Sequence, residues 1–328
     1  MPKCQNPKRQ NPPAKTISVE EFFAKFPDEQ SAIDYLTGIL WPNGPICPYC
    51  GRMRISPRKT PNYYRCKDCR KDFTIRVGTI FHRSHIKITL WLFAMYLIVT
   101  ARKGISSLQL SKELGIGQTA AWFLLQRIRC ACGNQTAKIL FGIVEADETY
   151  VGGLERNKHD NKKLNQGRGA VGKTPVFGAR DRQGQVLMRV VGSTDKKTLQ
   201  DILNANVAPG SMICTDTYSS YNGLSNTFIH TTVKHSSNNG SKKQYVNGVA
   251  HTNSIESCWS VFKRSIIGIW HSVSSYHLQL YVNEAAFRLN EGNVKIDTVD
   301  RLRALVKGTV GKRLTFAALK SGKYHQVP

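Results

Sequence analysis

The chain is 328 residues long and carries 47 Lys and Arg against 22 Asp and Glu, a formal net charge of +25 at pH 7. A hydrophobic fraction of 41% excludes disorder along the whole length and gives enough apolar material for two or three domains. A charge surplus of this size repels itself unless a polyanion neutralises it, so nucleic acid is the expected partner, ahead of an anionic membrane surface.

In chain order, the first sixteen residues hold Lys3, Lys8, Arg9 and Lys15 without an acid. They read as a basic arm and not a secretory signal, because no apolar stretch follows. Ser18-Val-Glu-Glu-Phe predicts a short amphipathic helix, with Ser18 as its cap and Glu20 and Glu21 at the positive end of its dipole. Residues 45–81 are rich in Pro, Arg, Tyr and Thr and predict short strands. Within them lie Cys47-Pro-Tyr-Cys50 and Cys66-Lys-Asp-Cys69, two tight turns that each present a pair of thiolates. Four thiolates close a tetrahedral Zn²⁺ site and leave no place for water, so the expected zinc is structural. Nine cysteines, an odd total, argue for a reducing compartment and metal binding over disulfides. Residues 52–76 carry nine Arg or Lys against two Asp, with Tyr63, Tyr64 and Phe73 among them. That pattern predicts a phosphate-binding face, with a merely solvated basic surface as the plainer alternative.

The longest apolar run, Ile88 to Ala101, falls short of the about 20 residues needed to span a bilayer and reads as a buried helix. Ile105 to Trp122 has the grammar of a helix-turn-helix. Leu108 and Leu110 to Leu114 pack the first helix and Gly115 permits the turn. Gln118 and Thr119 open a second helix whose buried side is Ala121, Leu124, Leu125 and Ile128. Gln118 and Thr119 are therefore candidates for base contacts, and Arg127 and Arg129 for phosphate contacts. Cys130 and Cys132 read as small buried apolar residues. After Gly133 the pattern shortens: KILFGIVEAD, TPVFGARD, QVLMRVVG, SMICTD and TFIHTTVKH read as strands, with helices at Lys196 to Val207 and from about Asn253 to Ser265. The Gly-rich basic stretch 155–173 reads as a mobile loop. His230, His235, His251, His271 and His277 read as phosphate contacts or core residues.

Asp147 and Asp216 each follow a buried apolar run, where an ionised group is costly unless it is exposed or paired with a cation. On the helix at 253–265, Asn253 and Glu256 lie three apart on one face, with Lys263 two turns beyond Glu256. Oxygen ligands of this kind suit two Mg²⁺ or Mn²⁺ ions and an in-line phosphodiester displacement. The plainer alternative has Asp147 and Asp216 as caps and Glu256 as a solvated helix residue; spacing alone does not choose.

The strings CPYCG…CKDC, EADETYVGG, TDTYSSY, HTNSIESCWSVFKRSIIGIWH and AAFRLN resemble, in order, the DDE transposases of bacterial insertion sequences, more narrowly the ISXO-like group. The resemblance implies an α/β catalytic domain of ribonuclease H-like fold, a mixed sheet flanked by helices. A zinc ribbon and a small all-α helix-turn-helix domain precede it. It implies a first carboxylate ending the first strand (Asp147), a second ending the fourth (Asp216) and a third on a late helix. Glu256 is assigned there because Lys263 follows at a seven-residue step, and Asn253 is the competitor. The expected division is 1–40, basic arm and short helices; 41–84, zinc ribbon; 85–135, helix-turn-helix; 136–292, catalytic domain with the DNA-gripping loop 155–173; and 293–328, tail. The implied activity is Mg-dependent strand cleavage at terminal inverted repeats and transfer into target DNA, by a homodimer or larger assembly in the bacterial cytoplasm, at the nucleoid and not at a membrane. The alternatives are a catalytically inactive DNA-binding regulator and a structure-selective ribonuclease H-like DNA nuclease.

Overall fold

The computed structural model describes residues 14–133, 139–153, 157, 159–164, 170–233 and 248–322. His235 and parts of the 155–173 stretch lie outside these residues. The Ser18 hydroxyl accepts the Glu21 amide, and the Glu21 carboxylate accepts the Ser18 amide, so α1 (Val19–Lys25) opens on the predicted cap. Asp28 opens α2 (Glu29–Leu40) in the same way. Beyond α2, β1 (Ile55–Pro57), β2 (Tyr64–Cys66) and β3 (Asp72–Phe73) form a small antiparallel sheet. Trp41 packs edge-on against Tyr64 and Phe73 beneath it. The apolar run forms α3 (Ile88–Thr100), buried along most of its length against α1 and α2.

The helix-turn-helix is present as α4 (Ser107–Leu114), a left-handed Gly115, and α5 (Gln118–Cys132). Gly115 stands at φ +63°, which a side chain would strain. Leu108 differs from expectation: it is exposed, and Leu110 and Leu114 make the helix contact instead.

Five strands follow: β4 (Ile143–Val151), β5 (Thr174–Asp181), β6 (Val186–Val190), β7 (Met212–Thr215) and β8 (Ile229–Thr232). Their order is β6-β5-β4-β7-β8, an antiparallel meander of β4, β5 and β6 with β7 and β8 added parallel to β4. A parallel return needs a crossover, and α6 (Lys196–Asn206) supplies it, packing Leu199 and Leu203 onto Val144, Ala146, Phe177 and Ile213. The opposite face takes α7 (Asn253–Ser265), continued by a π-helical turn Ile266–Trp270, and α8 (Leu278–Leu289). Ile255, Trp259, Phe262 and Val282 meet Val151, Val176 and Met188 there. This is the mixed sheet flanked by helices that the sequence predicts, with helices on both faces.

The stretch 293–328 is not a tail within its described part. It holds α9 (Thr298–Lys307), whose Leu302, Leu305 and Val306 complete the core of α1 to α5, and α10 (Phe316–Ser321), whose Leu319 packs beside Trp122 and Phe123. With helices on several sides, α5 is buried over most of its length. Arg127 and Arg129 are consequently buried, against the expected phosphate role. The Arg127 guanidinium lies over the rings of Trp91 and Phe123 and donates to the His82 carbonyl. Arg129 lies 3.9 Å from the Tyr281 ring centroid and pairs with the fully buried Glu284 at 2.5 Å; Arg288 pairs with the other oxygen of Glu284.

Burial opposes the charge of Glu284, but Arg288 and Arg129 outweigh it and hold the carboxyl below its usual range. Removing this acceptor leaves two buried cations. Glu284→Ala is therefore expected to lower the unfolding free energy in urea by about 3–5 kcal/mol. A change within ±0.5 kcal/mol would show that the buried pairs contribute nothing.

Candidate active site and metal centres

The two cysteine turns form one cluster. Cys47, Cys50, Cys66 and Cys69 place their sulfurs all within 4.8 Å of one another. Cys47 to Cys69 and Cys50 to Cys66 are each 3.6 Å. Zn–S bonds of about 2.3 Å in a tetrahedron require sulfurs about 3.7 Å apart, so the donor set fits Zn²⁺.

The second centre is built on the sheet. Asp147 lies in the middle of β4, not at its end, because β5 pairs with β4 as far as Val151. The parallel pairing with β7 stops at Glu145↔Cys214. Continuing that register by two residues puts Asp147 level with Asp216, just past Thr215 where β7 ends. Alternation along β4 sends Val144 and Ala146 to the α6 face and Asp147 to the α7 face, where the Trp259 indole N–H donates to its carboxylate at 3.0 Å. Gly178 is the cross-strand neighbour of Asp147. A Cβ at Gly178 would come within 2.5 Å of the Trp259 ring, so only glycine leaves the indole its seat.

Glu256 sits one turn into α7, where the Thr252 hydroxyl donates to it at 2.9 Å. Asn253 and Lys263 lie on the same helix, and all three side chains are exposed. Asp216 is half-buried and accepts the Tyr218 amide at 2.9 Å. Burial, opposed by the Glu148 amide, and then the nearby charges of Asp216 and Glu256 push Asp147 up to about 6. Asp147, Asp216 and Glu256 therefore share one electrostatic neighbourhood.

Among the described residues, the four cysteines are the one set of three or more candidate ligands with all donor atoms inside 4.8 Å. The three carboxylates are spread more widely. Asp147, Asp216 and Glu256 do not present three oxygens inside that distance, so they do not enclose a single small cation as the cysteines do. Burial is the larger cause of the raised Asp147, and the charges of Asp216 and Glu256 add to it.

Several neighbours escape a reading of the sequence. Glu148 projects from β4 beside Asp147 and is pushed up to about 7, first by burial; the Tyr221 hydroxyl donates to it. Glu145, two residues before Asp147, is fully buried. An acid inside the run ILFGIVEADETYV was itself a signal, since a buried carboxylate needs partners. Gln118 and Thr119 are exposed at the start of α5. Of the histidines, His230 contacts the Thr215 hydroxyl, His277 lies 3.0 Å from the Leu319 carbonyl, and His251 lies beside Glu145. His271 is exposed.

The raised Asp147 sets a pH dependence. Folded Asp147 keeps its proton up to about 6, whereas the unfolded side chain loses it near 3.9. The folded state therefore binds more protons across that window, and this residue's contribution to stability falls as pH rises through it. In Mg-free buffer without chelator, Asp147→Asn is expected to raise the melting temperature at pH 7.5 by ~2–5 °C and to flatten its decline between pH 4 and pH 6. An unchanged melting profile would contradict the raised carboxyl.

Comparison with known proteins agrees with this architecture. Residues 139–290 match the family described as the ISXO2-like transposase domain, and residues 27–72 match the transposase zinc-ribbon domain. The chain is 28% identical over 253 residues to an uncharacterised protein in transposable element ISH50 of Halobacterium salinarum, covering 73% of this chain and 83% of that one. It is 30% identical over 122 residues to an uncharacterised transposase-like protein of Haemophilus influenzae, covering 37% of this chain and 93% of that one. Among solved structures it is similar to a pre-cleavage Mos1 transpososome at 11% identity, over 68% of this chain and 80% of that one. The TM-score is 0.24, too low to carry an argument. No helix among the described residues is long and apolar enough to cross a membrane. With the zinc-ribbon domain and the transposase domain matched in order along it, the chain belongs to the ISXO2-like transposase family.

Proposed function

We propose that the protein binds the terminal inverted repeats of its own element, cleaves a strand there and joins the freed end to target DNA. The observation that carries this reading is the seating of α7, which brings Glu256 into the electrostatic field of Asp147 while Asp216 stands level with Asp147 on the next strand. Asp147, Asp216 and Glu256 hold the divalent cations; Asn253, a neutral oxygen donor, is the competitor for the third position. Bound Mg²⁺ or Mn²⁺ supplies Lewis-acid activation of the attacking oxygen and stabilisation of the leaving oxygen. The indole N–H of Trp259 orients the Asp147 carboxylate. Exposed Lys263, two turns beyond Glu256, neutralises phosphate. In the first step water attacks a phosphodiester and the leaving group is a 3′-OH; in the second that hydroxyl attacks a target phosphodiester. The side chains act by positioning and by charge, without a covalent enzyme intermediate.

The ribbon presents Arg52, Arg54, Arg58, Lys67, Arg70 and Lys71 as exposed cations that track the backbone. Gln118 and Thr119 at the start of α5 reach base edges. Two element ends must be held together, so a dimer or larger assembly forms on DNA. The inactive-regulator alternative is disfavoured by the presence of all three carboxylates and Lys263 in the sequence.

Four substitutions test the reading on labelled terminal-repeat DNA with Mg²⁺. Asp216→Asn is expected to lower cleavage at least 100-fold (~3 kcal/mol) with end binding kept within a few fold. Binding without cleavage by the wild type would favour the regulator; cleavage of generic branched DNA without strand transfer would favour the nuclease. Of Glu256→Gln and Asn253→Ala, the larger loss of metal-dependent rate identifies the third ligand. Cys66→Ser is expected to unfold the ribbon and weaken end binding; unchanged affinity would detach the ribbon from DNA recognition.

A further inference from the structure

Glu145 has no part in the chemistry above, yet it is fully buried in β4 two residues before Asp147. Its Oε2 accepts the backbone amides of Ser254 and Ile255, at 2.8 and 3.0 Å. These are first-turn amides of α7, donors that have no partner inside the helix. Its Oε1 faces Arg182 Nη2 at 3.3 Å and His251 Nδ1 at 3.2 Å. Arg182 in turn donates to the Val249 carbonyl at 3.0 Å and contacts the second ring nitrogen of His251. Arg180, the cross-strand neighbour of Glu145, donates to the Ser254 carbonyl at 3.0 Å. Every partner of Glu145 thus lies at the start of α7, in the approach to it, or on Arg182, which is tied to that approach.

We infer that Glu145 is a positioning residue: it fixes the first turn of α7 to the strand that carries Asp147, and so sets where Asn253 and Glu256 stand relative to Asp147. This role rests on the proposed phosphoryl-transfer reading. A strand carboxylate has a particular advantage here. It terminates the helix from the strand bearing Asp147, so any shift of α7 along the sheet breaks two charge-assisted bonds at once. The neighbouring Thr252, which donates to Glu256, lies between His251 and Asn253 and moves with the same clamp. Glu145 reaches no reacting atom; it acts through Glu256 and Asn253.

Glu145→Gln keeps the shape and one acceptor oxygen but removes the charge facing Arg182, His251 and the helix end. Leu203→Val, a core variant on the opposite sheet face, serves as the control for lost stability, compared at equal margin below each melting temperature. The expected result has three parts: terminal-DNA affinity within twofold of wild type, a single-turnover cleavage rate at least tenfold lower, and Mg²⁺ half-saturation raised several-fold. Hydrogen exchange followed by mass spectrometry on a peptide spanning 250–258 is expected to quicken in Glu145→Gln and not in Leu203→Val. A cleavage rate reduced no more than in Leu203→Val, or unchanged exchange over 250–258, overturns the inference. If wild-type protein cleaves no terminal DNA, the phosphoryl-transfer reading fails, and the exchange measurement still decides whether Glu145 seats α7.

Discussion

Acidic side chains gathered on a protein of net charge +25 repel one another, and the fold has to hold them together by other means. Asp147 records the tension, pushed up to about 6 by burial and by its acidic neighbours. What opposes it is the seat of α7. Apolar contacts of Ile255, Trp259 and Phe262 fix the helix on the sheet face. The Trp259 indole ties it to Asp147, and Glu145, Arg180 and Arg182 secure its first turn. The missing side chain of Gly178 leaves room for the indole. Carboxylates held close in a partly buried site bind hard cations better than the same groups apart in water, which is what the proposed metal pair would exploit.

The helix-turn-helix is joined to the sheet by buried contacts. Arg129 of α5 shares Glu284 of α8 with Arg288, and α8 is tied to the sheet edge. The Val190 amide donates to the Gln279 side chain, and Asn290, just past α8, exchanges two hydrogen bonds with the backbone of Val186. α5 and the five-stranded sheet therefore belong to one packed body. α9 adds to this by closing the helical core from the other end of the chain, where the Lys15 carbonyl accepts the Thr298 amide.

Much of this was legible in the sequence because the signals are local. Ser18 announces its capping box, Gly115 its turn, and the two Cys-x-x-Cys pairs their cluster. The limits of α7 at Asn253 and Ser265 follow from its amphipathic period. The misreadings arise from tertiary context. Arg127 and Arg129 have the composition of phosphate contacts, but α8, α9 and α10 cover α5, and no local pattern records that. Leu108 looks apolar and inward, yet the four-residue step places Leu110 and Leu114 on the core side and leaves it outside. Asp147 was read at a strand end because an ionised group after buried residues is costly. The strand continues because its opening lies in the parallel neighbour, β7, which stops, while β5 pairs on. Glu145 is not legible locally, because the α7 amides it accepts lie more than one hundred residues away in the chain.

The central claim is that Asp147, Asp216 and a side chain of α7 together hold a pair of metal ions. Anomalous scattering at the manganese edge from crystals of the protein bound to terminal-repeat DNA and soaked in Mn²⁺ tests it most directly. Two peaks about 3.5–4 Å apart are expected, between the β4–β7 edge and the first turns of α7, and both are expected to vanish in crystals of Asp147→Asn. Peaks elsewhere, or none beside Asp147 at saturating Mn²⁺, would contradict it.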